Sequence, residues 1–316
     1  MLDLTLLGSG GGMPRVNRHL SSMIINYKGR KILIDCGEGT QVAMRKVHSG
    51  FKSIDIICIT HYHGDHIFGL PGLLATIGNS HRTESITIIG PIGLKEIMEG
   101  ILVMIPYLPY DLKLIECTKE SLGINVSDNI LEVTKEKKLN KSNLILSTIE
   151  LDHSSHCLGY SIYVPRKPKF YPEKAIELGI PKEFWSRLQI GEKIQYENKI
   201  YNSDKVLGGR RKGIKLSYIT DTRPMDTLLN FIAESDLFVC EGTYGDNLDI
   251  EKAIKNKHMT FEEAAELAYK SNVKELLLTH FSPSIEDPNI YKLNAKTIFN
   301  NTIIGYDGYR KKLTYN

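Results

Sequence analysis

The sequence predicts a mixed α/β domain of the layered α+β kind. Short apolar, β-branched runs recur along the chain. Amphipathic helical stretches lie between some of them, without the strict alternation of repeated βαβ units. A chain of 316 residues with 41% hydrophobic and 24% charged composition also has enough apolar residues for a sizeable core.

Leu2–Leu7, Ser22–Tyr27 and Lys31–Ile34 read as strands, the last two joined by a tight turn at Lys28-Gly29-Arg30. Ile54–Thr60 reads as a buried strand. Leu70–Ile77 is expected to be helical, opened by Gly69-Leu70-Pro71. A strand at Ile86–Ile89 and a helix from Pro91 to Met104 follow. Leu144–Leu151, Lys215–Thr220, Leu237–Cys240 and Glu275–Thr279 are further expected strands, with helices at Asp226–Glu234 and Thr260–Ser271. Thr260 and Glu263 have the spacing of a capping box.

Composition narrows the function classes. No run of about 18 apolar residues is present, so no membrane span is expected. The first residues read as a strand, since no basic segment precedes them as in a signal peptide. The five cysteines (36, 58, 117, 157, 240) are scattered, without C-x-x-C, and mostly sit in apolar runs. Both readings favour a reducing cytoplasm. The Gly8-Ser-Gly-Gly-Gly12 turn fails the dinucleotide pattern at Met13, and is read as a turn bringing backbone near the site.

The net charge of +3 is mild, but it is unevenly placed. From Arg166 to Lys215 there are 13 Lys/Arg against 6 Asp/Glu, a local +7 that leaves the rest of the chain slightly acidic. The only Trp, Trp185, lies here with Phe170, Tyr171 and Phe184. A solvated surface insertion is one reading. A basic arm that touches nucleic acid is the other.

The chemistry concentrates in Thr60-His61-Tyr62-His63-Gly64-Asp65-His66. So many ligand groups just past an apolar strand are costly to bury together unless a cation compensates them. The period of two lets His61 and His63 point one way. Asp65 and His66 then serve a second position, which suits two adjacent metals. Other strands end the same way, in Asp152-His153, Asp221 and His280. Strand C-terminal ends are where open sheets place their sites. His258 lies just before a marked helix N-terminus, where an anion such as phosphate is favoured, and Glu241 could orient it.

At these residues the sequence resembles the metallo-β-lactamase superfamily, whose signature is H-x-H-x-D-H. The longer string His61-Tyr-His-Gly-Asp-His-Ile-Phe-Gly-Leu-Pro-Gly-Leu-Leu74 is similar to the ribonuclease Z family of tRNA 3′-processing endonucleases. Asp35-Cys-Gly-Glu-Gly-Thr-Gln41, His153 before Cys157-Leu-Gly-Tyr160, Asp221-Thr-Arg223 and Leu278-Thr-His280 extend the likeness from end to end. The resemblance implies an αβ/βα sandwich with two zinc ions per subunit; sites of this donor type also accept manganese or iron. It implies that His61, His63 and His153 hold one metal and Asp65, His66 and His280 the other, with Asp221 bridging. Asp65, His258 and Glu241 would be catalytic. The catalytic core would span 1–165 and 214–316, with residues 166–213 the inserted arm that grips precursor tRNA. Arg18, Arg166, Lys167, Lys169, Arg210, Arg211 and Lys212 are the expected substrate-binding residues, and a homodimer is implied. In the family's P-x-K-x-R-N string, Val16 and His19 replace Lys and Asn, and the arm's Gly-Pro motif is altered at Gly179-Ile-Pro181.

The expected activity is hydrolysis of an RNA phosphodiester, removing a 3′ trailer from precursor tRNA and leaving a 3′-hydroxyl. One alternative is a metal-dependent phosphodiesterase or ester hydrolase acting on a small molecule, which would need no basic arm. A second is a non-catalytic RNA-binding or sensor module that keeps its metals structurally.

Overall fold

The computed structural model describes residues 1–134, 142–197 and 199–315. The chain opens with β1 (Leu2–Gly8), β2 (Ser22–Tyr27), β3 (Arg30–Ile34), β4 (Ile54–Cys58), β5 (Ile86–Gly90) and β6 (Leu112–Glu116). β7 (Ser121–Ser127), β8 (Ile130–Thr134), β9 (Leu144–Leu151) and β10 (Cys157–Arg166) follow, then the arm hairpin β11 (Ile194–Tyr196) and β12 (Lys199–Tyr201). β13 (Arg211–Ile219), β14 (Leu237–Glu241), β15 (Leu276–Thr279), β16 (Thr302–Ile304) and β17 (Arg310–Leu313) complete the strands. Among the described residues they form a seven-stranded sheet in the order β17-β1-β2-β3-β4-β5-β6 and an eight-stranded sheet in the order β16-β15-β14-β13-β10-β9-β7-β8.

One core cluster joins the two sheets: Leu4, Ile25, Ile32 and Ile56 from the first meet Leu146, Tyr160, Leu216, Val239 and Leu277 from the second. Burying each such side chain stabilises by about 1.5–3 kcal/mol. A second cluster lies under helices Thr40–Lys46, Leu70–Asn79 and Leu94–Val103, and a third under Phe261–Lys270. The layers therefore run helix, sheet, sheet, helix: the αβ/βα sandwich the resemblance implied. Among the described residues no helix is long and apolar enough to cross a membrane. All five cysteines are buried, and none forms a disulfide.

The strongly patterned elements lie where expected. The β2–β3 turn is a two-residue reversal with Lys28 and Gly29 at φ 52° and 82°, the twist that suits a hairpin. Thr260 accepts from Glu263 N while the Glu263 carboxylate accepts from Thr260 N, completing the capping box. The Pro91 helix starts later, at Leu94, because Gly93 takes a left-handed φ of 95°. The β7–β8 hairpin was not anticipated, since β7 interleaves Gly, Ser and Asn with its apolar residues and β8 is only five residues long. Asp128-Asn129, at φ 45° and 60°, was its available signal.

The basic arm folds on its own small core of Ala175, Ile180, Leu188, Ile194 and Val206. Its aromatic residues serve that core: Trp185 stacks on Phe170 at 5.3 Å and donates Nε1–H to Ile180 O, and Phe184 meets Tyr196 edge-on at 5.0 Å. β10 and β13 are antiparallel neighbours, with Arg166 opposite Arg211, so the arm leaves and re-enters the sheet at one place. Within the expected core and arm ranges, residues 135–141, 198 and 316 lie outside the described residues.

Candidate metal centre and active site

Six strand ends converge on one edge of the sandwich. β3 delivers Asp35, β4 the 60–66 segment, β9 His153, β13 Asp221, β14 Glu241 and β15 His280. Asp35, Asp221 and His280 take left-handed backbone, with φ of 57°, 52° and 58°. A non-glycine residue there costs of order 1 kcal/mol or more, and surrounding structure must hold it. After the extended 60–63 segment, a short helix Gly64–Ile67 carries Asp65 and His66.

The expected ligand residues assemble into two triangles. His61 Nε2 lies 2.9 Å from His63 Nδ1, which lies 3.3 Å from His153 Nε2. In the other triangle His66 Nε2 and His280 Nε2 are 3.2 Å apart, and Asp65 Oδ2 lies 3.4 and 3.3 Å from them. Asp221 stands between. Its Oδ2 is 3.2 Å from His66 Nε2 and 3.4 Å from His280 Nε2, while its Oδ1 is 3.9 Å from His61 Nε2 and 4.0 Å from His153 Nε2.

This arrangement fits divalent metal ions. Bare imidazole nitrogens do not hydrogen-bond each other, and two ligands 2.0–2.1 Å from a tetrahedral ion sit about 3.3 Å apart. The spacings in both triangles are close to that value, and the donors are all imidazole nitrogens and carboxylate oxygens.

Partners hold the second nitrogen of several of these rings. His66 Nδ1 bonds Asp35 Oδ2 at 2.8 Å, both groups fully buried. His153 Nδ1 faces the Lys257 carbonyl at 3.3 Å. Glu241, also fully buried, accepts from Thr222 N (2.7 Å), Met259 N (3.1 Å) and Thr243 Oγ1 (2.6 Å), and faces His258 Nδ1 at 3.1 Å. Arg223 supports the same loop through the His258 carbonyl and pairs with Glu263 of the capping box.

Charge follows this wiring. Burial opposes ionisation of the Asp221 carboxyl, yet His280, His66 and His61 hold it well below the usual range. Burial lowers the His61 imidazole, helped by neighbouring His66. For His258 burial also lowers, but the Glu241 charge and hydrogen bond, with Asp221 and Asp65, raise it to about 9.

A cleft of about 460 Å³ opens over the centre, lined by Asp65, His153, Asp221, His258 and His280, with Tyr244, Lys255 and Lys257. The glycine turn reaches this wall: Gly12 N donates to Asp65 Oδ2 at 2.6 Å, and Gly11 packs on the His280 ring. Glu241 is the last residue of β14, where the sequence placed it just beyond the strand.

The expected substrate-binding residues stand apart from this cleft. Arg18 donates to the carbonyls of Ile285 and Glu286 at 2.9 Å, tying the glycine-turn loop to the segment after His280. Arg166 lies over the Tyr315 ring, Arg211 bonds the Lys167 carbonyl, Lys169 lies over Tyr171, and Lys212 pairs with Glu234. Lys167 and Arg210 lie between β10 and β13, where the arm leaves and rejoins the sheet. Thr60, Thr243 and the partner role of Asp35 were not assigned from sequence; their only signal was position, inside the 35–41 string and beside His61 and Glu241.

Comparison with known proteins adds three findings. A family model described as anti-Pycsar protein Apyc1 matches residues 2–102. Curated relatives named Ribonuclease Z match over the whole chain. That of Alkaliphilus oremlandii is 60% identical, covering 100% of this chain and 99% of its own; that of Clostridium perfringens is 57% identical with the same coverage. Among solved structures, the short form of human tRNase Z aligns with TM-score 0.67 at 23% identity, covering 99% of both chains. A metallo-β-lactamase fold protein from Bacillus subtilis aligns with TM-score 0.67 at 18% identity, covering 99% of this chain and 100% of its own. At those identities the solved structures speak for the fold.

Proposed function

The chain belongs to the ribonuclease Z family, and from that premise we propose that it is a metal-dependent endonuclease that removes 3′ trailers from precursor tRNA. The observation that carries the reading is Asp221, which offers one oxygen to each of two three-ligand clusters beside the His258–Glu241 pair. His61, His63 and His153 would hold one ion, Asp65, His66 and His280 the other, with Asp221 shared. We take both ions as zinc, since the donor set is imidazole and carboxylate.

Bound ions of this kind supply a water that is acidic at neutral pH and neutralise charge on phosphate oxygens. The chain supplies the rest. The Asp65 carboxylate, oriented by Gly12 N, takes the proton of the attacking water. Water oxygen bonds to phosphorus and the P–O3′ bond breaks. His258, with Nδ1 engaged by Glu241, donates from Nε2 to the departing 3′-oxygen. The products are tRNA with a 3′-hydroxyl and a 5′-phosphorylated trailer.

The arm at 166–213, with Arg166, Lys167, Lys169, Arg210, Arg211 and Lys212, would grip the tRNA body by phosphate contacts. Arg18 would act near the site by shaping the loop after His280. A homodimer in the cytoplasm completes the reading. Exposed Val103, Met104 and Tyr107 offer apolar surface to a second copy, and five buried cysteines outside any disulfide suit a reducing compartment. The test is cleavage of labelled precursor tRNA with product mapping, with and without chelator, by wild type and Asp65→Ala. Chelator-sensitive release of tRNA with a 3′-hydroxyl is expected; a fully active Asp65→Ala variant would sink the mechanism.

A further inference from the structure

Two buried carboxylates in this centre are wired alike. Asp35 takes His66 Nδ1 directly at 2.8 Å and is reached by Thr60 Oγ1 at 2.9 Å; that hydroxyl lies 3.1 Å from His61 Nδ1. Glu241 takes His258 Nδ1 directly at 3.1 Å and is reached by Thr243 Oγ1 at 2.6 Å; that hydroxyl lies 3.1 Å from His280 Nδ1. Each carboxylate thus holds one histidine itself and a second through a threonine. The threonines occupy matching places, two residues past the ends of β4 and β14.

Donor counting sets the direction of these bonds. An ionised carboxylate only accepts, and a hydroxyl has a single proton. The short contact to a carboxylate claims that proton. The hydroxyl oxygen is then left to accept, so His61 and His280 must each present Nδ1–H to it. Their protons being on Nδ1, both rings keep a bare Nε2, and those are the atoms that enter the two triangles.

We propose that Thr60 and Thr243 are positioning residues that lock His61 and His280 in the metal-binding tautomer. Thr243, through the Glu241 oxygen it shares with His258, also ties a metal ligand to the proton-donating histidine. The two branches differ in consequence. The Thr60 branch ends on two metal ligands, His61 and His66. The Thr243 branch ends on one metal ligand and on His258. Loss of either hydroxyl weakens metal retention; loss of the Thr243 hydroxyl also misaligns proton donation.

This rests on the reading of the centre given above, and the zinc-affinity part of its test does not depend on RNA. Thr60→Val and Thr243→Val keep side-chain shape and delete the hydroxyl; Thr60→Ser and Thr243→Ser restore it. Zinc affinity is measured by chelator competition on metal-free protein. kcat and KM are measured at saturating zinc with precursor tRNA, whose departing 3′-oxygen needs a proton where p-nitrophenolate would not, and folding by thermal melts. Both valine variants should lose roughly 10–100-fold in zinc affinity, the usual scale for a ligand's hydrogen-bond partner, and both serine variants should recover it. At saturating zinc, Thr243→Val should keep a deficit of about tenfold in kcat with KM little changed, larger than that of Thr60→Val. Valine variants that melt like wild type and bind zinc as tightly overturn the tautomer lock. Equal kcat in the two valine variants at saturating zinc overturns the link to His258. Wild type that binds zinc but leaves precursor tRNA intact would refute the proposed function instead.

Discussion

Gly11 carries a sharp prediction, because the space its missing side chain leaves is filled by the His280 ring. A Cβ at this position would sit 2.5 Å from Nε2 and 2.6 Å from Nδ1 of His280. Ordinary non-bonded contact begins at about 3.5 Å, so Gly11→Ala must push ring and backbone apart by about 1 Å. The backbone has little room to yield. Gly11 N is bonded to Phe281 O at 3.0 Å and Phe281 N to Ser9 O at 2.9 Å, so the residue after His280 is tied to Gly11 and to Ser9. The ring must move instead, and Nε2 is the atom that enters the triangle with Asp65 and His66. Metal–ligand distances tolerate about ±0.2 Å, and a misplacement of about 1 Å at a reacting centre can cost roughly 100-fold. Gly11→Ala should therefore bind about one zinc where wild type binds two, by elemental analysis of dialysed protein. It should cut precursor tRNA at least ~100-fold more slowly, with the His61–His63–His153 cluster intact. Two zinc ions retained, with cleavage within threefold of wild type, would refute the placement of Gly11 against His280.

Four further outcomes follow. Gly100 lies exposed in helix Leu94–Val103 with open space where a Cβ would go, so Gly100→Ala should stabilise by about 0.5–1 kcal/mol in urea unfolding at unchanged activity. Replacing residues 167–210 by a short turn between β10 and β13 should leave zinc content and bis-p-nitrophenyl phosphate hydrolysis near wild type while precursor tRNA cleavage falls ~100-fold; equal loss of both would count against an RNA-gripping arm. In metal-free protein the His258 titration, followed by NMR, should centre near 9, and Glu241→Gln should bring it down, because burial then acts without its main opponent; an unmoved midpoint contradicts the pairing. The sign for stability is that of a raised histidine: its contribution is complete below about 6.5 and lost as pH climbs through 9, so Glu241→Gln should flatten that slope in metal-free denaturation curves.

The chain's local chemistry was enough to determine the layered α+β class, the ligand-rich 60–66 segment and the strand-end positions of His153, Asp221 and His280. These are short-range properties. A strand of period two, a capping box at Thr260–Glu263 and a histidine-dense turn each lie within a few residues of sequence. The net charge likewise divided into a basic arm and a slightly acidic body by counting alone. What the arm's aromatic residues do was decided in three dimensions, where Trp185 and Phe184 fill a small local core.

The wiring of the centre was also beyond local pattern. Asp35 meets Thr60 and His66 only because β3 and β4 are parallel neighbours. His280 meets Thr243 because β14 and β15 are. Gly11 meets His280 across almost the whole chain. Hydrogen-bond partners and steric contacts depend on positions set to within a few tenths of an ångström, and only the packing of the two sheets defines those. Residue types and spacing determined which groups gather at the strand ends; tertiary structure decided which partners surround each of them and what holds it in place.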